Sequence, residues 1–213
     1  MSDDHRDVRR EYGTASLARA DLNADPLQQF DAWLSAANRA NLTDATAMTL
    51  ATVDPDGRPS TRIVLLKHFD ETGYVWYTDY ASQKGRDLGA NANASVLFYW
   101  RELERQVRID GVVSKVERAL SEQYFNSRPQ DSRFSAAASH QSQPVAERAT
   151  LEQTVAALRA QYPSGDVPPP TNWGGYRLHA QAYEFWQGRE GRLHDRFRYQ
   201  PTKTGWRIER LQP

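Results

Sequence analysis

The chain has 213 residues, 27 basic and 27 acidic side chains, no cysteine and a hydrophobic fraction of 39%, enough to bury a core without metal or disulfide staples. Zero formal charge supplies no basic field for nucleic acid, and the lack of cysteine removes disulfides, thiolate nucleophiles, iron–sulfur clusters and cysteine-based zinc sites. No apolar run approaches the ~18 residues of a membrane span, and the polar stretch Met1 to Glu11 does not read as a signal peptide, so the expected compartment is the cytoplasm, away from any membrane.

Residues 1–24 are polar and lack hydrophobic periodicity, which predicts a mobile arm. Asp25-Pro26 then suits a helix start, and Leu27, Phe30, Trp33, Leu34 and Ala37 recur at helical spacing. A strand-rich block follows. Residues 47–54 and 62–66 flank the hairpin signal Pro55-Asp56-Gly57, and 74–78 and 95–100 are short apolar strands around a helix at 82–91. Residues 105–117 form a long strand in which Val107 and Ile109 oppose Gln106, Arg108 and Asp110, with Gly111 a candidate bulge. Helices are expected at 119–127 and about 144–162, the second with Leu151, Val155, Leu158 and Tyr162 on one stripe. A proline- and glycine-rich connection at 163–175 leads to strands at 176–187, 193–200 and 205–211. The pattern is mainly β with α, a small antiparallel barrel with peripheral helices and no βαβ alternation. Its expected parts are the arm 1–24, a core 25–162, and C-terminal strands 163–213 that complete the barrel.

None of the twelve glycines forms a dinucleotide fingerprint or phosphate loop, the five histidines offer no zincin pairing, and no Gly-x-Ser-x-Gly elbow is present. No metal site is expected. Arg62-Ile-Val-Leu-Leu-Lys67 places two cations at the ends of an apolar strand, suited to gripping anions. Their parity differs, so a flat strand aims them at opposite faces; solvated strand ends explain them equally well. In 192–198, alternation sets Arg192, His194, Arg196 and Arg198 against Leu193, Phe197 and Tyr199. Like charges on one face call for an anionic ligand, or for a solvated edge. Tyr124, Arg128 and Ser132 recur every four residues and can all donate to a phosphate, although Pro129 interrupts a continuous helix. Gln106 and Gln141-Ser142 are weaker signals.

At these residues the chain resembles the pyridoxamine 5′-phosphate oxidase family along its whole length. The segments are Arg-Arg-Glu-Tyr (9–12), Asp-Pro-Leu (25–27), Arg-Ile-Val-Leu-Leu-Lys (62–67), Tyr-Thr (77–78) and Leu-Glu-Arg-Gln-Val (103–107). They continue with Tyr-Phe-Asn-Ser-Arg-Pro (124–129), Trp-Gly-Gly-Tyr-Arg (173–177), Glu-Phe-Trp-Gln-Gly (184–188) and Arg-Leu-His-Asp-Arg-Phe (192–197). The resemblance implies an FMN-binding split β-barrel homodimer that oxidises pyridoxamine 5′-phosphate and pyridoxine 5′-phosphate to pyridoxal 5′-phosphate with O2, releasing hydrogen peroxide.

By motif, the resemblance assigns Arg62, Ile63, Val64, Leu65, Leu66, Lys67, Tyr77, Thr78 and Lys84 to the flavin, with Gln106, Gln141, Ser142, Trp186 and Arg196. It assigns Lys67, Tyr124, Arg128 and Ser132 to the substrate phosphate, and Arg192, Leu193 and His194 to the substrate ring, with Arg192 and His194 catalytic. The arm residues Arg9, Arg10 and Tyr12 close over the substrate. The chain departs from the family where Gln83 replaces an arginine of a Ser-Arg-Lys run and where Ala137 replaces a tryptophan. The competing readings are a phenazine-biosynthesis type of FMN oxidase, whose substrate lacks the phosphate, and a non-catalytic split-barrel protein that binds flavin or haem.

Overall fold

The computed structural model of the protein describes residues 5–7, 10–13 and 15–213. Among these the elements run α1 (Pro26–Arg39), β1 (Ala47–Val53), β2 (Pro59–Leu65), β3 (His68–Asp70), β4 (Gly73–Asp79), α2 (Gln83–Ala90), β5 (Asn93–Trp100) and β6 (Arg105–Lys115). They continue with α3 (Arg118–Ser127), α4 (Gln130–Ala138), α5 (Arg148–Gln161), β7 (Trp173–Gln187), β8 (Asp195–Thr202) and β9 (Gly205–Leu211). The chain forms two compact units, one from 1–49, 95–110 and 180–213, the other from 50–94 and 111–179.

In the first unit, the Asp25 carboxylate accepts from the Leu27 N–H at 2.9 Å and Pro26 occupies the first turn of α1. The helix buries Phe30, Trp33, Leu34 and Ala37. Phe30 meets Phe98 of β5 with ring centroids 4.9 Å apart, and Trp33 meets Phe185 of β7 edge-on at 5.3 Å. The end of β7 pairs antiparallel with β8 in a register that sets Trp186 opposite Arg196, and β8 pairs with β9. The arm carries more order than its composition suggests. Leu17 and Leu22 are buried, Arg19–Asp21 forms a 3₁₀ turn, and the Leu17 N–H donates to Asp195. Single anchors of this kind leave no periodic trace in sequence.

In the second unit, β4 pairs antiparallel with β3 on one side and with the first half of β7 on the other, and its Trp76 is fully buried. The expected hairpin joins β1 to β2. Asp54 and Arg58 close it through a 3.0 Å backbone bond, and Gly57 takes φ +80°, a conformation costly for any residue with a Cβ. Ser82 caps α2 by accepting from the Gly85 N–H. Helices α3 and α4 meet at Arg128-Pro129, where proline ends the first and precedes the second. Phe125, Phe134, Val167 and Trp173 form a buried cluster against which Val155, Leu158 and Tyr162 pack. Each buried phenylalanine contributes about 1.5–3 kcal/mol, which holds α4 in place although most of its residues are polar or small.

Several details differ from the sequence reading. Both β3 and α4 are additional, each too short to leave a clear periodic signal. Helix α5 starts at Arg148, and Leu151 of its stripe is 38% exposed. Burial along β6 alternates unbroken through Gly111, so that glycine marks no bulge. No helix among the described residues is long and apolar enough to cross a membrane.

Candidate functional site

The second unit contains a cleft of about 1170 Å3. Its lining includes Arg62, Ile63, Val64 and Leu65 of β2, Lys67, Tyr77 and Thr78 of β4, Lys84 of α2, Tyr124, Arg128, Ser132 and Gln141. Ile63 and Leu65 are 64% and 40% exposed, which gives this side of the cleft an apolar edge. Leu66 is buried, and Ser142 is exposed and outside the lining, its hydroxyl accepting from the Gln83 N–H. The parity argument for Arg62 and Lys67 fails because β2 ends at Leu65; Lys67 lies beyond the strand, and both cations face one cleft.

Two cationic groups occupy the cleft. Arg62 donates to the Thr52 hydroxyl (2.7 Å), the Ser60 hydroxyl (2.6 Å) and the Leu50 carbonyl (3.2 Å), with Asp87 at 3.6 Å behind it. Burial opposes ionisation of Asp87. Hydrogen bonds from Thr52, Gln83 and Ser60, with the charge of Arg62, outweigh that and hold its carboxyl below the usual range. Lys84 donates to Thr78, Ser82 and Gln141 at 3.0–3.2 Å. Burial and then the charge of Arg62 lower its pKa. Burial also lowers the Arg62 pKa, against the pull of Asp87, so a negative group placed in the cleft would favour the charged form of both cations.

The second group is built on aromatic stacking. Tyr77 lies parallel to Tyr124 with centroids 4.0 Å apart and to Trp173 at 5.5 Å, while the Arg128 guanidinium sits 5.1 Å from the Trp173 ring. Burial lowers the Arg128 pKa, and its Nη1 is buried without a hydrogen-bond partner. A buried donor left unmet in this way is expensive, and an anion placed against it would satisfy it. The expected trio Tyr124, Arg128 and Ser132 thus shares one cleft with Lys67, although α3 and α4 are separate helices.

The remaining expected residues belong to the first unit. Tyr12 packs edge-on against Trp186 (5.6 Å, 88°) and His194 (5.4 Å, 86°), and Trp186 lies 4.7 Å from His194. The His194 Nδ1 accepts from the Arg189 N–H at 3.1 Å, which leaves the proton of the neutral ring on Nε2. Burial, then Arg192 and Arg196, lower the His194 pKa, so the neutral ring prevails near pH 7. Arg192 is not on β8: it closes a 3₁₀ turn with φ +61°, an uncommon conformation of the kind found at functional sites. Leu193 is 74% exposed and does not oppose the arginines. Two arginines of the β8 face already have acidic partners. Arg196 pairs with Glu184 at 2.7 Å and Arg198 with Glu209 at 3.0 Å. Gln106 is half-buried on β6, and Arg9 lies outside the described residues.

Sequence reasoning missed Trp173 as a site residue, although it stands in a quoted motif, and missed the buried carboxylates Asp87 and Glu104. Both carboxylates stand in polar surroundings in sequence, Asp87 within Arg86-Asp87 and Glu104 between Leu103 and Arg105, so no local signal marked them as buried. At the two departures, Gln83 donates to Asp87 at 2.7 Å, and Ala137 packs at the edge of the Phe125–Trp173 cluster.

A family model described as pyridoxamine 5′-phosphate oxidase matches residues 34–162, and one described as the pyridoxine 5′-phosphate oxidase C-terminal dimerisation region matches residues 173–213. A pyridoxine/pyridoxamine 5′-phosphate oxidase of Ralstonia pickettii is 53% identical over 97% of this chain and 98% of its own. Among solved structures, PhzG from Burkholderia lata, in complex with tetrahydrophenazine-1-carboxylic acid, has a TM-score of 0.88 and 32% identity, covering 94% of this chain and 99% of that one. A pyridoxamine 5′-phosphate oxidase-related, FMN binding protein of Nostoc punctiforme shares the fold, with TM-score 0.70 and 20% identity, covering 93% and 100% of the two chains. The fold is the expected split barrel with peripheral helices, and the chain belongs to the pyridoxamine 5′-phosphate oxidase family of oxidoreductases.

Proposed function

We propose that the protein is an FMN-dependent oxidase that converts pyridoxamine 5′-phosphate and pyridoxine 5′-phosphate to pyridoxal 5′-phosphate, acting as a cytoplasmic homodimer. The observation that carries this reading is the cleft with two separate cationic groups, one of them holding the unmet Nη1 of Arg128. A single phosphate would need one such group, whereas a flavin phosphate and a substrate phosphate need two. The volume of about 1170 Å3 exceeds the ~300–1,000 Å3 of single small-molecule sites, in keeping with two ligands. The residues fit FMN: Arg62 and Lys84 suit its phosphate, and Thr78 and Gln141 offer further polar contacts. The match to a C-terminal dimerisation region supports the homodimer.

FMN, held by Arg62 and Lys84, would supply a two-electron acceptor for the substrate carbon, with O2 as the final oxidant and hydrogen peroxide as its product. Lys67, Tyr124, Arg128 and Ser132 grip the substrate phosphate, and that remote binding energy fixes the reacting carbon. Arg192 positions the ring and offsets developing charge. His194, neutral and protonated on Nε2, donates a hydrogen bond that orients the amine or hydroxyl. The amine substrate loses a hydride and a proton to become an imine, which takes up water and releases ammonia. The alcohol gives the aldehyde directly.

A phenazine-type oxidase is the second reading, favoured by the TM-score of 0.88 to PhzG. The test compares pyridoxamine 5′-phosphate, unphosphorylated pyridoxamine and a reduced phenazine carboxylate as substrates. The reading expects kcat/KM highest for the phosphate ester by two orders of magnitude or more, from ~1.5–3 kcal/mol for each charged hydrogen bond to phosphate. Preference for the phenazine would overturn it.

A further inference from the structure

Glu104 stands at the junction of three segments of the first unit. It follows a 3₁₀ turn (Arg101–Leu103) in the left-handed conformation, φ +53°, and only 3% of it is exposed. Glycine or asparagine would satisfy that backbone with less strain. Its side chain explains why a glutamate stands there. One carboxylate oxygen accepts from the Gly13 N–H at 3.0 Å, and the other accepts from Arg10 Nη2 at 3.3 Å. Arg10 donates also to the Arg101 carbonyl, so two residues flanking Tyr12 are tied to one short turn.

The main chain of the same residue holds the opposite wall. The Glu104 carbonyl accepts from the Gly188 N–H at 2.8 Å and from Gln187 Nε2 at 3.2 Å. Gly188 lets Tyr12 approach, since a Cβ there would stand 2.7 Å from Tyr12 Cδ1. The next residue, Arg189, supplies the N–H that fixes the tautomer of His194. Tyr12 is thus pressed against His194 and Trp186 by contacts that converge on one buried carboxylate and its carbonyl.

We propose that Glu104 is a positioning residue that latches the N-terminal arm, holding Tyr12 over His194 and Trp186. The latch rests on the proposed oxidase function for its catalytic consequence but not for its existence. A charged, nearly buried acceptor grips the arm more strongly than a neutral one, and the half-exposed Arg10 side chain, the longer of the two contacts, adds less than the part-buried Gly13 N–H bond.

The experiment uses the FMN-loaded full chain carrying Glu104→Gln, with chymotryptic cleavage of the Tyr12–Gly13 bond followed by mass spectrometry. The expected result is cleavage roughly tenfold faster than wild type, with flavin content and melting temperature retained, because the arm opens without global unfolding. In turnover, Glu104→Gln raises KM for pyridoxamine 5′-phosphate more than it lowers kcat. Its effect on kcat/KM does not multiply with that of Tyr12→Ala, since both act through the same contact. A wild-type cleavage rate overturns the latch, and so do fully multiplicative effects, which are what a merely structural residue would give. Should Glu104→Gln fail to fold, Arg10→Gln tests the same contact from the exposed side: faster cleavage supports the latch and an unchanged rate overturns it. A wild-type protein that leaves pyridoxamine 5′-phosphate unoxidised would sink the functional reading while the cleavage rates still decide the latch.

Discussion

Replacing Arg128 with alanine separates the binding account from a stability account. In the ligand-free protein the guanidinium lies over Trp173 at 5.1 Å, worth about 0.5–1 kcal/mol at a partly exposed site. Against that stands the cost of a buried Nη1 with no partner, of about 1–3 kcal/mol. The cost matches or exceeds the gain, so Arg128→Ala should leave ligand-free stability unchanged or raise it by up to about 2.5 kcal/mol in denaturant titration. Substrate binding should suffer instead. One lost charged hydrogen bond to phosphate is worth about 1.5–3 kcal/mol, a factor of roughly 10 to 150 in affinity. The assay is steady-state oxidation of pyridoxamine 5′-phosphate, with KM and kcat separated, beside denaturant melts of the ligand-free protein. A large rise in KM with stability unchanged or raised is the expected result. An unchanged KM, or a fold destabilised as strongly as binding, would refute the reasoning that this arginine is held unsatisfied for an anion.

Arg192→Ala should lower kcat at least tenfold while retaining bound flavin, since its proposed part is to position the substrate ring and not to hold the flavin; equal loss of flavin and activity would contradict this. Because the His194 pKa lies below the usual 6.5, its neutral form and the stability linked to it are fully present above that value. Both decline as pH falls through the folded pKa. The acidic limb of kcat should therefore fall below pH 6.5 and be absent in His194→Gln, as a pH profile of both proteins would reveal. Asp87→Asn should weaken the hold on Arg62 and cost about 1–3 kcal/mol of stability in denaturant melts. Gln83→Arg, which restores the cation common in the family, should tighten FMN binding by a few-fold in equilibrium titration, and unchanged affinity would mean that Lys84 and Arg62 suffice.

Much of this was legible in the sequence because short-range chemistry wrote it there. Asp25-Pro26, the Asp56-Gly57 hairpin, the short helix at 82–91 and the alternation along β6 are local signals, and the structure has each of them. The resemblance named Arg62, Lys67, Lys84 and Arg128 before any geometry, and all four line one cleft. The failures are tertiary. Lys67 joins Arg62 because β2 stops two residues earlier, and no parity rule anticipates where a strand ends. The arginines of β8 find counter-charges in Glu184 and Glu209 from neighbouring strands, and the repulsion that remains is felt at His194. The arm looked featureless because Glu104 and Asp195, distant in sequence, supply its anchors.

The most direct test of the central claim is aerobic turnover of pyridoxamine 5′-phosphate by the purified protein, following aldehyde and peroxide together beside its visible spectrum. A yellow protein that forms pyridoxal 5′-phosphate and hydrogen peroxide in equal amounts is the expected result. A yellow protein that leaves the substrate untouched, or one that FMN cannot restore from a colourless state, would contradict the account.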